Sequence, residues 1–286
     1  MKPRKKGKPR KGVYDADSPP QKVNPPEYKG VPGKSPGKKG DDTAIRLNKY
    51  IANAGICSRR EADILISSGQ ISVNGKVITE LGYKINPNDR VQYGKTRLKR
   101  EKYIYVLLNK PKDHITTARD PQKRNTVMDL VNKQIDERIY PVGRLDRNTT
   151  GLLLLTKDGE LTEKLSHPSY NIRKIYEAHL DRPLKEEDLL AVTGGIVLED
   201  GPVKVDDIAI NSEDGKIIGI ELHSGRNRIV RRIFESLGYK ITGLDRVMYA
   251  FLTKKNLPRG KWRFLNDHEV TKLKYLGHGK KRQKKS

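Results

Sequence analysis

Gly143-Arg144-Leu145-Asp146-Arg147-Asn148-Thr149-Thr150-Gly151-Leu152-Leu153-Leu154-Leu155-Thr156 sets a polar turn directly against an unbroken apolar run. The run reads as a buried strand, and the turn holds one carboxylate, Asp146, at the end of that rigid element. A lone acid placed in this way is a candidate for nucleophilic or proton-transfer work. By itself, however, Arg-x-Asp in a turn is more often a structural ion pair. The rest of the chain has to supply a substrate and a partner cation.

Further along the chain, strands are expected at residues 174–180, 195–198, 203–210 and 217–222, punctuated by Asp158-Gly159, Asp200-Gly201 and Asp214-Gly215. Helices are expected at 160–166, 185–192 and 228–237, the last stopped by Gly238. Before the aspartate turn, residues 103–108 read as a buried strand ended by Asn109-Lys110-Pro111, with a basic linker ahead of it at 95–102. Strands interleaved with a few helices and joined by short turns predict an α+β fold for residues 101–275. Its sheet is expected to be mixed, mainly antiparallel and flanked by helices.

Residues 44–100 read as a second, smaller unit. Leu47, Tyr50, Ile51 and Ala54 recur at helical spacing before Gly55, which predicts a first helix. Ser58-Arg59-Arg60-Glu61 has the form of a capping box opening a second helix that runs to Gly69. Ile71-Ser72-Val73 and Val77-Ile78 then flank Asn74-Gly75, a pair in which both residues tolerate positive φ, so a hairpin is expected. Arg46, Lys49, Arg59 and Arg60 stand at the ends of the two helices. There, guanidinium groups and free backbone amides are placed to grip phosphates, or else form a solvated basic face.

Charge supports a polyanionic partner. The 286 residues carry 59 Lys and Arg against 35 Asp and Glu, a formal net charge of +24. Part of that surplus is terminal. Residues 1–40 hold twelve Lys and Arg against three acids and residues 276–286 hold five against none, yet the remainder is still net positive. Residues 1–43 contain too few aliphatic side chains to offset chain entropy and are expected to be a disordered basic tail. Such an arm either solubilises the chain or strengthens RNA binding by releasing counterions. Residues 276–286 are expected to be a second basic tail.

Several chemistries are disfavoured. A single cysteine, Cys57, rules out an internal disulfide or a thiolate metal cluster, and the six His show no metal-ligand spacing. Neither a dinucleotide fingerprint nor a phosphate loop is present, so no cofactor is expected. No apolar run approaches the ~20 residues of a membrane span, and the chain is expected to be cytoplasmic and monomeric.

The run from Gly143 to Gly159 resembles the signature of the pseudouridine synthases related to the ribosomal small-subunit enzyme, in which the aspartate at the place of Asp146 attacks a uridine. Residues 46–93 resemble the S-four-type RNA-binding domain, through Arg46-Leu47-Asn48-Lys49-Tyr50, Ser58-Arg59-Arg60-Glu61-Ala62 and Gly69-Gln70-Ile71-Ser72-Val73-Asn74-Gly75-Lys76. The likeness spans about residues 45–275. It implies that Tyr176, in Arg173-Lys174-Ile175-Tyr176, stacks on the target base, and that Arg144 fills the place of a flipped nucleotide. In His223-Ser224-Gly225-Arg226-Asn227-Arg228-Ile229-Val230-Arg231-Arg232, alignment by position makes Arg231 the cation beside Asp146, with Arg226, Arg228 and Arg232 as alternatives. Ile229 replaces a glutamine common in relatives.

Isomerising uridine to pseudouridine breaks the bond from base to ribose, turns the base and rejoins it through carbon, with no redox equivalent. A single ionised carboxylate suffices if a neighbouring guanidinium keeps it charged, since burial alone favours the neutral form. The resemblance is greatest to the large-subunit, type B branch, implying an rRNA partner and a uridine of large-subunit rRNA as target. A small-subunit rRNA uridine and a noncatalytic ribosome-assembly role are the alternatives.

Overall fold

The computed structural model describes residues 13–15, 22–28, 44–99 and 103–276. The chain divides into two compact units, Lys29–Tyr103 and Met1–Tyr28 with Ile104–Ser286.

In the smaller unit, helices Leu47–Asn53 and Arg59–Ser67 pack with the strands Ile71–Val73, Lys76–Val77, Val91–Tyr93 and Thr96–Arg97 around Leu47, Ile51, Ala62, Ile66, Ile71 and Val91. The second helix opens on the expected capping box, with Ser58 Oγ accepting from Glu61 N and the Glu61 carboxylate accepting from Ser58 N. Asn74 and Gly75 both take positive φ at the hairpin turn. The expected linker at 95–102 begins too early. Thr96–Arg97 closes the four-stranded sheet, Leu98 lies in the core, and Tyr50 donates its hydroxyl proton to the Leu98 carbonyl. Basic side chains flanking a single buried leucine gave that strand the look of a linker.

In the larger unit, ten strands among the described residues form one sheet. Its main path runs Tyr14–Asp15, Lys261–Phe264, Tyr105–Lys110, Thr150–Thr156, Ile241–Tyr249, Lys174–Leu180, Ile217–Leu222 and Asp207–Ile210. All pairings along the path are antiparallel except one: Thr150 and Gly151 run parallel to Asp245 and Arg246. Tyr105–Lys110 and Thr150–Thr156 are buried at every residue, which is why their sequences do not alternate. Each fully buried leucine of the run adds roughly 1.5–3 kcal/mol of transfer free energy, so the polar turn is mounted on a strand anchored in the core.

Two apolar clusters cover this platform. One joins Val106, Leu108, Leu153, Leu155 and Trp262 to Val127, Met128 and Val131 from the irregular segment after Lys110. The other packs the Ile229–Ser236 helix through Ile233 and Phe234 on Ala178, Ile218, Ile220 and Leu244. Tyr176 touches both clusters.

Two further expectations fail. The strand expected at 203–210 is two strands, Gly201–Val203 paired with Ile196–Leu198 and Asp207–Ile210 paired with Ile217–Leu222, because its two ends answer to different partners. The expectation of disorder to residue 43 does not hold for residues 13–15 and 22–28; its remaining residues, and nearly all of the carboxy-terminal tail, lie outside the described residues. Tyr14 and Asp15 pair with Trp262 and Lys261, Val23 N donates to the Gln134 carbonyl, and the Tyr28 ring meets Tyr105 edge to face at 5.1 Å. Backbone pairing at a free sheet edge and one aromatic anchor hold these segments where aliphatic content is low.

Candidate active site

Asp146 stands in the turn that enters the Thr150–Thr156 strand, and the turn is held from below. Lys110, fully buried at the end of its strand, donates through Nζ to the carbonyls of Asp146 (3.0 Å), Arg147 (3.1 Å), Thr149 (2.8 Å) and Pro111 (3.1 Å). Burial pushes its ammonium down to about 8, with the charge of Asp146 pulling the other way. Thr116 fixes the other side, its hydroxyl donating to Leu145 O at 2.7 Å. Gly151, with φ +107°, lets the backbone pass directly over Arg246: a Cβ there falls on the Arg246 amide and carbonyl and on the Asp245 carboxylate.

Asp245 is itself buried, and burial alone would raise its carboxyl. Hydrogen bonds from Arg259 (2.7 and 2.9 Å), from Lys254 and from Thr150 (2.9 Å) instead hold it down to about 2. This network, buried at its carboxylate and open at its cations, holds the only parallel contact of the described sheet beneath the turn.

The Asp146 side chain is 38% exposed and borders two hollows. One is walled by Arg144, Tyr176, Arg226 and Arg228, the other by Lys112, Arg147, Arg228 and Arg231. Arg231 Nε lies 3.9 Å and Arg228 Nη1 3.8 Å from Asp146 Oδ2. The expected neighbour Arg231 is thus in place, joined by Arg228, but neither makes the two-pronged hydrogen bond expected of a guanidinium fork, and the carboxylate is not dry. Arg231 Nε is buried with no hydrogen-bond partner, while its Nη1 donates to Ile241 O at 3.3 Å. Desolvation and then the Arg228 charge lower the Arg231 guanidinium from its ordinary value, with Asp146 opposing.

The other two arginines of the helix region face a different carboxylate. Arg232 grips Asp200 in two hydrogen bonds (2.6 and 2.9 Å), and Arg226 lies 3.6 Å from the same carboxylate. Arg228 takes left-handed φ at the helix N-cap, so the helix begins at Ile229 and not at 228. Ile229 packs in the core and also lines the first hollow.

Tyr176 reaches that hollow by way of an irregularity. Between Ile175 and Tyr176 the register against Ile241–Tyr249 shifts by one residue, a bulge that re-aims the side chain. In the smaller unit, Arg46 is the N-cap of the first helix, Arg59 and Arg60 open the second, and all three are exposed; Lys49 is half-buried. Ser58 and Glu61 engage each other's backbone amides, so not every amide expected at that helix start is open to phosphate.

Lys110, Lys174, Arg246 and Tyr249 were not singled out by sequence reasoning, yet the last three line the first hollow. Lys174 did fall within the basic-x-Tyr pattern, which was the only available signal. Among the described residues, no group of three or more His, Cys, Asp or Glu is placed to hold a metal, and no helix is long and apolar enough to cross a membrane.

Comparison with known proteins finds relatives of both units. The RNA pseudouridylate synthase family profile matches residues 104–236, and the S4 domain profile matches residues 45–91. The ribosomal large subunit pseudouridine synthase B of Bacillus subtilis is 45% identical over 240 residues, covering 82% of this chain and 98% of the relative. The dual-specificity RNA pseudouridine synthase RluF of Escherichia coli is 34% identical over 81% of this chain and 79% of its own length. A crystal structure of a pseudouridylate synthase matches at 28% identity with TM-score 0.55, over 80% of this chain and 99% of the other. The chain belongs to the RNA pseudouridine synthase family and carries an amino-terminal S4 domain.

Proposed function

We propose that this pseudouridine synthase isomerises a uridine of large-subunit rRNA and that Asp146 is the group acting at the ribose. The observation that carries the proposal is the Asp146 carboxylate at the border of two basic hollows, with two guanidinium groups at 3.8 and 3.9 Å and Tyr176 on the adjoining wall.

A uridine in a helix cannot reach a recessed carboxylate, so the nucleotide has to leave its stack. Tyr176 offers the base an aromatic face and Arg144 fills the vacated place. With water present, an ion pair at this distance is worth little. RNA seated over the hollows displaces that water, strengthening the interaction and drawing the orphaned Arg231 Nε onto Asp146. The Asp146 carboxylate then bonds to C1′ as the bond from C1′ to N1 breaks with its electron pair leaving on the base. The base turns, C5 bonds to C1′ as the carboxylate leaves, and the proton lost from C5 is matched by one taken up at N1, so atoms and electrons balance without an oxidant.

Arg46, Lys49, Arg59 and Arg60 hold rRNA phosphates, while Arg226 and Arg228 hold the strand at the mouth of the site. The choice of large-subunit rRNA rests on the likeness to the Bacillus subtilis relative. Release of tritium from C5-labelled uridine in rRNA tests the reading. Wild-type protein is expected to release it and Asp146→Asn to show no release above background at unchanged RNA affinity; equal release by both assigns the chemistry to another group.

A further inference from the structure

Lys174 and Arg246 occupy the floor of the hollow that Tyr176 and Asp146 border. They come from neighbouring strands: Arg246 pairs in register with Tyr176, two residues beyond Lys174. Arg246 is 3% exposed; its Nε donates to Leu152 O at 2.8 Å, its guanidinium lies 4.5 Å from the Tyr249 ring centre, and its Nη2 is buried without a partner. Lys174 donates to His223 O at 3.0 Å. Burial, and then the charge of Arg246, pushes its ammonium down to about 8.

A half-buried ammonium beside a buried guanidinium is unfavourable unless something negative offsets the pair. Among the described residues no carboxylate pairs with either one, and Asp146 is faced by Arg228 and Arg231 instead. A phosphate fits poorly here, because Nη2 lies beneath the protein surface and a tetrahedral group carried on the backbone stays at the mouth. A flat ring against Tyr176 would sit in the hollow that Lys174 and Arg246 line.

We propose that Lys174 and Arg246 form a binding site for the detached uracil as an anion, stabilising it between cleavage of the bond to ribose and its return through carbon. The inference rests on the reading of this hollow as the uridine site. When the C1′ to N1 bond breaks, its electron pair spreads over N1, O2, C5 and O4; the charge is neutralised when C5 bonds to C1′, and the proton then lost from C5 is matched by one gained at N1. The base must also turn while charged. An ammonium with three donors and an unpartnered guanidinium nitrogen keep a positive field on the ring through that turn, which a single directional hydrogen bond does not. Charge placed in advance where it develops acts on the reaction more than on substrate binding.

The test pairs a binding probe with a rate. Wild-type protein is expected to bind 5-nitrouracil, an anion at neutral pH, at least about tenfold more tightly than neutral uracil by competition with rRNA substrate. Lys174→Met and Arg246→Met should each remove that preference and slow single-turnover isomerisation on the order of 10²-fold, at unchanged rRNA affinity, and Lys174→Arg should recover most of the rate. An absent preference in wild-type protein overturns the proposal whatever the variants do. So does a preference that survives both substitutions, or a loss of rRNA affinity that matches the loss of rate. Asp146→Asn should keep the anion preference while losing isomerisation, so failure of the carboxylate assignment and failure of the anion site give different results.

Discussion

At the scale of single residues, Lys110 is what converts a polar turn into a placed carboxylate. Four backbone carbonyls converge on its ammonium, three of them from Asp146, Arg147 and Thr149. Lys110→Met leaves those buried acceptors without a donor, at about 1–3 kcal/mol for an unmet group, and is expected to depress turnover strongly with little change in rRNA affinity. Stopped-flow isomerisation and filter binding on the same preparation check this. Its titration gives a second expectation. The folded-state value of about 8 lies below the ~10.4 of an unfolded lysine, so between those limits the unfolded chain binds more protons and this group's contribution to stability grows with pH. Activity should nevertheless fall as pH rises through about 8, because neutral Lys110 has fewer protons for the turn. An alkaline fall in rate without a matching fall in thermal midpoint is the expected signature. The run around Asp146 stood out as a polar turn against an apolar strand, and Tyr176 and Arg231 were named only by likeness to a family's motifs; the structure places Arg231 beside Asp146 and Tyr176 on the adjoining wall. Lys110 was read only as part of a strand ending, since nothing local tells where a lysine at a strand end points.

Among the elements, the strand after the turn was read almost to the residue, and the reason lies in its burial on both faces. Ile241–Tyr249 passed unread although it forms the parallel neighbour of that strand. Asp245 and Arg246 interrupt its apolar pattern, and their partners Arg259, Lys254 and the Leu152 carbonyl are distant in sequence. The segment that supplies Val127, Met128 and Val131 also gave no periodic signal, since it packs as turns with one isolated bridge between Ile115 and Thr126. Gly151 joins the two strands at their closest approach. Gly151→Ala forces a Cβ into the Arg246 backbone at a φ that side chains rarely adopt. A loss of about 1–3 kcal/mol by denaturant unfolding is expected, typical of overpacking where little can move. Activity should fall beyond what that loss implies, because the strained contact lies between Asp146 and Arg246.

For the whole molecule, the division into an RNA-binding module and a larger catalytic unit was legible from motif order and charge. The behaviour of the amino-terminal segment was not, because two residues of edge pairing and one half-buried tyrosine leave no compositional trace. Residues 13–15 and 22–28 dock on the larger unit, and many basic residues flank them in sequence. Deleting residues 1–40 is therefore expected to do two separable things. The slope of log affinity against log salt should become shallower as fewer counterions are released, and the thermal midpoint of the larger unit should drop as the edge strand and the Tyr28 contact are lost. Titration across salt and differential scanning calorimetry read the two effects apart.

The claim beneath all of this is that one carboxylate in one turn remakes a uridine. Pseudouridine mapping across both rRNAs, in cells lacking this gene and complemented with wild-type or Asp146→Asn protein, tests it most directly. The expected result is one or a few large-subunit positions that lose pseudouridine in the deletion, regain it with wild-type protein and stay unmodified with Asp146→Asn. Restoration by the Asn variant, or an unchanged map in the deletion, contradicts the account.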